Sequence, residues 1–103
     1  LTEPVSKDII VDIEQDIRAF CSVKYEEGIY LQYFAVTEKY RQQGIGKGLL
    51  GWILDHYKCN IYLHVRINNC VAINLYESMG FVRESEDQEW YYYAAAASSL
   101  NNF

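Results

Sequence analysis

Apolar and polar positions alternate along the first quarter of the chain. Asp8 to Asp16 alternates around Ile9, Val11 and Ile13, and Arg18 to Tyr25 alternates around Ala19, Cys21, Val23 and Tyr25. A period of two predicts two adjacent strands, with Gln15-Asp16-Ile17 as their turn. After a break at Glu26-Glu27-Gly28, the run Ile29 to Val36 is apolar or aromatic everywhere except Gln32, which predicts a strand buried on both faces. The period then changes. Ile45, Leu49, Leu50, Ile53, Leu54 and Tyr57 fall on one face of a helix, and Asn60 to Arg66 returns to a strand. Val71, Ala72, Leu75, Tyr76 and Met79 form a second helical stripe, with Gly80 placed to close it. Phe81 to Glu84 and Glu89 to Tyr93 form a hairpin across Ser85 to Gln88. The order predicts an α/β (α+β) fold: a mixed, mostly antiparallel central sheet with one parallel pair bridged by the first helix.

A chain of 103 residues, half of them apolar, suffices for a single domain spanning 1–103. The run from Ala94 to Phe103 reads as a disordered or artificial tail. A net charge of −5 disfavours nucleic acid as a partner. The charge is uneven: residues 37–69 hold five basic and two acidic side chains, against four and twelve elsewhere. A basic island in an acidic protein fits a small phosphorylated ligand, and the acidic remainder fits a cationic partner. Cys21, Cys59 and Cys70 have no metal-ligand spacing and sit in or beside apolar segments, so reduced thiols and a cytoplasmic location are expected. No signal-like run and no stretch near 20 apolar residues is present, so no membrane partner is expected.

The strongest chemical signal is Gly44-Ile45-Gly46-Lys47-Gly48, set between a strand and an amphipathic helix. Amides at a helix N-terminus lack intrahelical acceptors, and glycines let an anion approach them closely. Arg41 and Lys47 add positive charge. Neither the full P-loop pattern nor GxGxxG is present.

Arg41-Gln42-Gln43-Gly44-Ile45-Gly46 resembles the Arg/Gln-x-x-Gly-x-Gly/Ala pyrophosphate loop of the GNAT N-acetyltransferases. About thirty residues on, Val65 to Phe81 is similar to their second cofactor segment, with Asn69, Ala72, Leu75-Tyr76 and Gly80-Phe81 at matching intervals. The resemblance covers roughly Asp8 to Tyr93 and implies a GNAT-like acyl-CoA N-acyltransferase fold, whose parallel strands splay to admit acetyl-CoA. It implies that Arg41, Gln42, Gln43, Gly44, Ile45, Gly46 and Lys47 hold the diphosphate. Phe34, Ala35 and Val36 would lie along the pantetheine arm, with backbone pairing from Phe34 and Val36, and Asn69 would reach the arm from the second helix. Tyr76 would be the general acid beside the sulfur, although it also lies on the apolar helix stripe.

A base is harder to assign. The strand Ile29 to Val36 has no carboxylate and offers Tyr30, Gln32 and Tyr33, so Glu27, or Glu26, at its start would act through water, unless solvent takes the proton. His64 on the second cofactor strand and His56 near a helix end are more readily read as packed or exposed side chains. The segment before Ile9 is shorter than the strand and helices that usually open a GNAT domain. Either the chain is a truncated form or a partner subunit covers the exposed surface, and such an apolar surface favours a homodimer. The expected activity is acetyl transfer from acetyl-CoA, without a metal, to a primary amine of a small molecule or peptide. The alternative is a non-catalytic acyl-CoA-binding or assembly module.

Overall fold

The computed structural model describes residues 7–97. Six strands form one sheet in the order β1-β2-β3-β4-β6-β5. These are β1 (Lys7–Ile13), β2 (Ile17–Tyr25), β3 (Ile29–Val36), β4 (Ile61–Arg66), β5 (Val82–Glu86) and β6 (Trp90–Ala95). Helix α1 (Ile45–His56) follows β3 after a single 3-10 turn at Glu38–Tyr40, and α2 (Cys70–Ser78) follows β4. All neighbours are antiparallel except β3 and β4. That parallel pair is joined by a crossover helix, the connection that such a pair requires.

The alternation in the sequence sets which side of the sheet is covered. Ala19, Cys21 and Val23 of β2, Ile29 and Leu31 of β3, Ile61, Leu63 and Val65 of β4 and Tyr93 of β6 are buried in one cluster. Leu49, Leu50 and Ile53 of α1 and Tyr76 of α2 join them. Fully burying a side chain such as Leu50 or Ile53 stabilises the fold by about 1.5–3 kcal/mol. Beyond the packing, the hydroxyls of Tyr25 and Tyr57 both donate to the Asp8 carboxylate, tying β1 and β2 to the end of α1. These two bonds hold the Asp8 carboxyl below its usual range.

The other face differs from expectation. The pattern of Ile29 to Val36 predicts burial on both sides, yet Tyr33 is 67% exposed and Ala35 is also exposed. Ile9 and Phe20 on the same face are likewise open. The described helices pack on the opposite face, so the second aromatic row meets no covering layer among the described residues. The alanine run starts inside β6, which extends through Ala95, and the Ala97 N–H donates to Asn60 Oδ1. The rest of the expected tail, residues 98–103, lies outside the described residues.

Candidate active site

The site exists because β3 and β4 part company. They pair only at Ile29 with Ile61 and Tyr30 with Tyr62, after which the strands separate. On its other edge β3 carries a bulge: Leu31 pairs with Val23 and Tyr33 with Ser22, leaving Gln32 over. The opening is a cavity of about 820 Å³ walled by β3, the loop before α1, the first turn of α1, β4 and the start of α2.

At one end of this cavity stands the start of α1. Its N-cap is Gly44, in the left-handed conformation (φ 79°), with no side-chain cap. Gly48 N–H donates to Gly44 O at 3.0 Å, which leaves the amides of Ile45, Gly46 and Lys47 ahead of that first helical bond. A Cβ on Gly46 would lie 3.2 Å from Val36 Cγ2 and 3.6 Å from both Leu75 Cδ2 and Phe34 Cε1, so glycine lets this turn sit directly against β3 and α2. Arg41 Nε donates to Val36 O at 3.1 Å, pinning the loop to the end of β3. Gln42 takes a left-handed φ of 63° to make the turn.

At the start of α2, Asn69 caps its own helix: Oδ1 accepts from the Ala72 N–H at 3.2 Å. Tyr76, deeper on α2, is 8% exposed and meets Phe34 and Phe81 edge-on, with ring centroids 6.2 and 5.8 Å away. Among the described residues its hydroxyl has no hydrogen-bond partner, and burial pushes its pKa up to about 12. It therefore stays protonated at any physiological pH, the state that a proton donor needs.

Of the residues singled out from sequence, Phe34, Ala35, Val36, Arg41, Gln42, Gly44, Ile45, Gly46, Lys47, Asn69 and Tyr76 all line this one cavity. Gln43 does not; its side chain turns back to donate to Lys39 O at 3.3 Å. Glu27 does not either. It sits in the β2–β3 turn with φ 52°, on a second cavity of about 310 Å³ whose other lining includes Glu26, Tyr30, Tyr62, Glu84 and Tyr92. Among the described residues, none that lines the larger cavity carries a carboxylate.

The sequence did not show which titratable groups converge. The Tyr30 hydroxyl and His64 Nδ1 are hydrogen-bonded across β3 and β4, and the His64 ring stands edge-on to Trp90 at 4.6 Å. His64 lines the larger cavity and Tyr30 the smaller, so the pair forms the boundary between them. Among the described residues, no group of three or more His, Cys, Asp or Glu is arranged to hold a metal.

A splayed parallel pair, an open glycine-lined helix start and a buried tyrosine, its hydroxyl without a hydrogen-bond partner among the described residues, meet at one cavity. The chain belongs to the family described as "Acetyltransferase (GNAT) family", whose model matches residues 3–81. It is 40% identical over 58 residues to the spermine/spermidine N(1)-acetyltransferase of Bacillus subtilis (strain 168), covering 52% of this chain and 38% of that protein. It is 36% identical over 61 residues to the ribosomal protein bS18-alanine N-acetyltransferase of Escherichia coli (strain K12), covering 55% of this chain and 41% of that one. These matches span about two fifths of the curated relatives' length. The fold is also that of the Vibrio cholerae spermidine N-acetyltransferase solved with CoA and spermine, with a TM-score of 0.79 at 21% identity over 93% of this chain and 69% of that one.

Proposed function

We propose that this chain transfers the acetyl group of acetyl-CoA to a primary amine of a small molecule or peptide. The observation that carries the reading is the uncapped start of α1, which opens on the same cavity as the Tyr76 hydroxyl. The amides of Ile45, Gly46 and Lys47, with the charges of Arg41 and Lys47, suit a diphosphate. Backbone groups of Phe34 and Val36, no longer paired to β4, suit the amides of a pantetheine arm.

Bound acetyl-CoA supplies an activated thioester. Tyr76 donates the proton that the departing sulfur takes up, since its hydroxyl is protonated and otherwise unengaged. The Tyr30–His64 pair, whose imidazole has a second ring nitrogen free of the Tyr30 bond, receives the proton lost by the amine. Glu26, Glu27 and Glu84 border the smaller cavity next to that pair and favour a positively charged acceptor. The same reading makes the protein cytoplasmic, in keeping with three free thiols, and homodimeric, in keeping with the exposed apolar sheet face.

A second reading, an acyl-CoA-binding module without turnover, is favoured by the absence of a carboxylate from the larger cavity. Thiol release from acetyl-CoA, followed across a panel of diamines and free-amino-terminal peptides, separates the two. Amine-dependent release supports the enzyme. CoA binding with no release from any acceptor assigns the module.

A further inference from the structure

The side chain of Gln32 has a feature the acyl-transfer reading does not use. Its amide oxygen is buried and has no hydrogen-bond partner among the described residues. A buried amide oxygen left unpaired is destabilising, and such groups persist where a ligand supplies the missing donor. Gln32 is the residue left over by the bulge in β3, two positions past the last pairing with β4, where the cavity closes. It lines that cavity together with His64 and Trp90. Val36, level with the start of α1, lies four residues further along β3, or about 13 Å at strand spacing. An arm running from α1 along β3 would spend its amides beside Phe34 and Val36, which leaves Gln32 on the part of the cavity wall beyond the thioester.

We propose that Gln32 is an acceptor-binding residue: its carboxamide oxygen accepts a hydrogen bond from an N–H of the attacking amine and turns the nitrogen toward the thioester carbonyl. The inference rests on the acetyl-transfer reading and deepens it. A primary amine retains an N–H for Gln32 while its lone pair attacks. An N-methylated amine has one fewer N–H for the oxygen and for the Tyr30–His64 pair, so the site selects for primary amines.

Gln32→Met and Gln32→Glu test this in the full chain. Gln32→Met removes an unpaired polar atom at nearly constant volume. The unliganded variant should melt at the same temperature as the parent or a few degrees above it, and bind CoA within twofold of the parent by calorimetry. Its KM for the amine should rise at least tenfold with KM for acetyl-CoA unmoved, and its preference for the primary over the N-methylated acceptor should disappear. Gln32→Glu keeps an acceptor oxygen and should restore the amine KM to within about threefold.

A melting temperature several degrees below the parent would make Gln32 a structural residue and overturn the proposal. An unchanged amine KM in Gln32→Met would overturn it too. Loss of kcat in Gln32→Glu would show that the amide nitrogen, donating to the thioester, is the working atom. Should the parent chain release no thiol with any acceptor, the acetyl-transfer reading fails by itself, and the melting comparison still decides whether Gln32 is held at a cost to stability.

Discussion

The two helices begin in opposite ways. At α2 the chain supplies its own side-chain cap: Asn69 Oδ1 accepts the Ala72 N–H. At α1 it does not. Gly44 has no side chain to offer, nothing lies within 4 Å of a Cβ built on it, and the amides ahead of the first helical bond belong to Ile45, Gly46 and Lys47, which line the cavity. Glycine at an N-cap costs the helix only a few tenths of a kcal/mol relative to a capping side chain, so an open end is compatible with a stable helix. Under the proposed function the contrast separates two roles within one cleft: the start of α1 would bind the diphosphate, whereas the start of α2, capped by Asn69, would place Tyr76.

The largest effect should come from reversing the charge at the open end. Arg41→Glu combined with Lys47→Glu replaces two exposed cations beside the amides. At about 1.5–3 kcal/mol for each charge-assisted contact, CoA affinity should fall about a thousandfold by calorimetry, with the melting temperature nearly unchanged. Equal loss of stability and affinity would erase the distinction between the helix ends.

Next in size is Tyr76→Phe. It removes a hydroxyl without protein partners, so kcat should fall about a hundredfold while CoA affinity stays within twofold. Because burial holds this hydroxyl's pKa at about 12, the parent's kcat should show no loss of the acid up to about pH 10. The sign follows from the direction of the shift: a raised pKa keeps the donor protonated longer as pH rises, so a basic limb near pH 8 would contradict the assignment.

Asn69→Ala should act on the capped end alone. Loss of the cap costs about 1 kcal/mol, which lowers the melting temperature of a chain this size by about 4–8 °C. CoA affinity should fall less than fivefold, and a larger fall would mean that Asn69 serves the ligand more than the helix.

The smallest change is Gly48→Ala, inside the first turn of α1 but off the cavity, with open space where its Cβ would point. It should stabilise the helix by about 0.4–1 kcal/mol and leave CoA affinity alone. Gly46→Ala should instead weaken it, because its Cβ presses on Val36.

Much of this was legible in the sequence because it is local. The change of period near Ile45 marked α1 at its observed start, and Gly80, with φ 94°, follows α2 where the stripe ends. The proposed diphosphate loop is contiguous, so Arg41 to Lys47 could be matched to the family's pattern, and all but Gln43 line the cavity. What could not be read depends on pairings between distant segments. The Tyr30–His64 contact requires the parallel register that sets Tyr30 against Tyr62. Gln32 looked like one polar break in an apolar strand because the bulge that isolates it is defined by β2. Ile29 to Val36 resembled a doubly buried strand because its outer aromatic row has the same composition as a core row. Composition does not show which faces are covered.

The central claim is that the open start of α1 binds the diphosphate of CoA. Titrating the folded chain with CoA in a calorimeter, at two salt concentrations, tests it most directly. The account predicts one-to-one uptake that weakens as salt rises and is lost when Arg41 and Lys47 are reversed together. No heat from a chain shown to be folded, or uptake indifferent to those two charges, would contradict it.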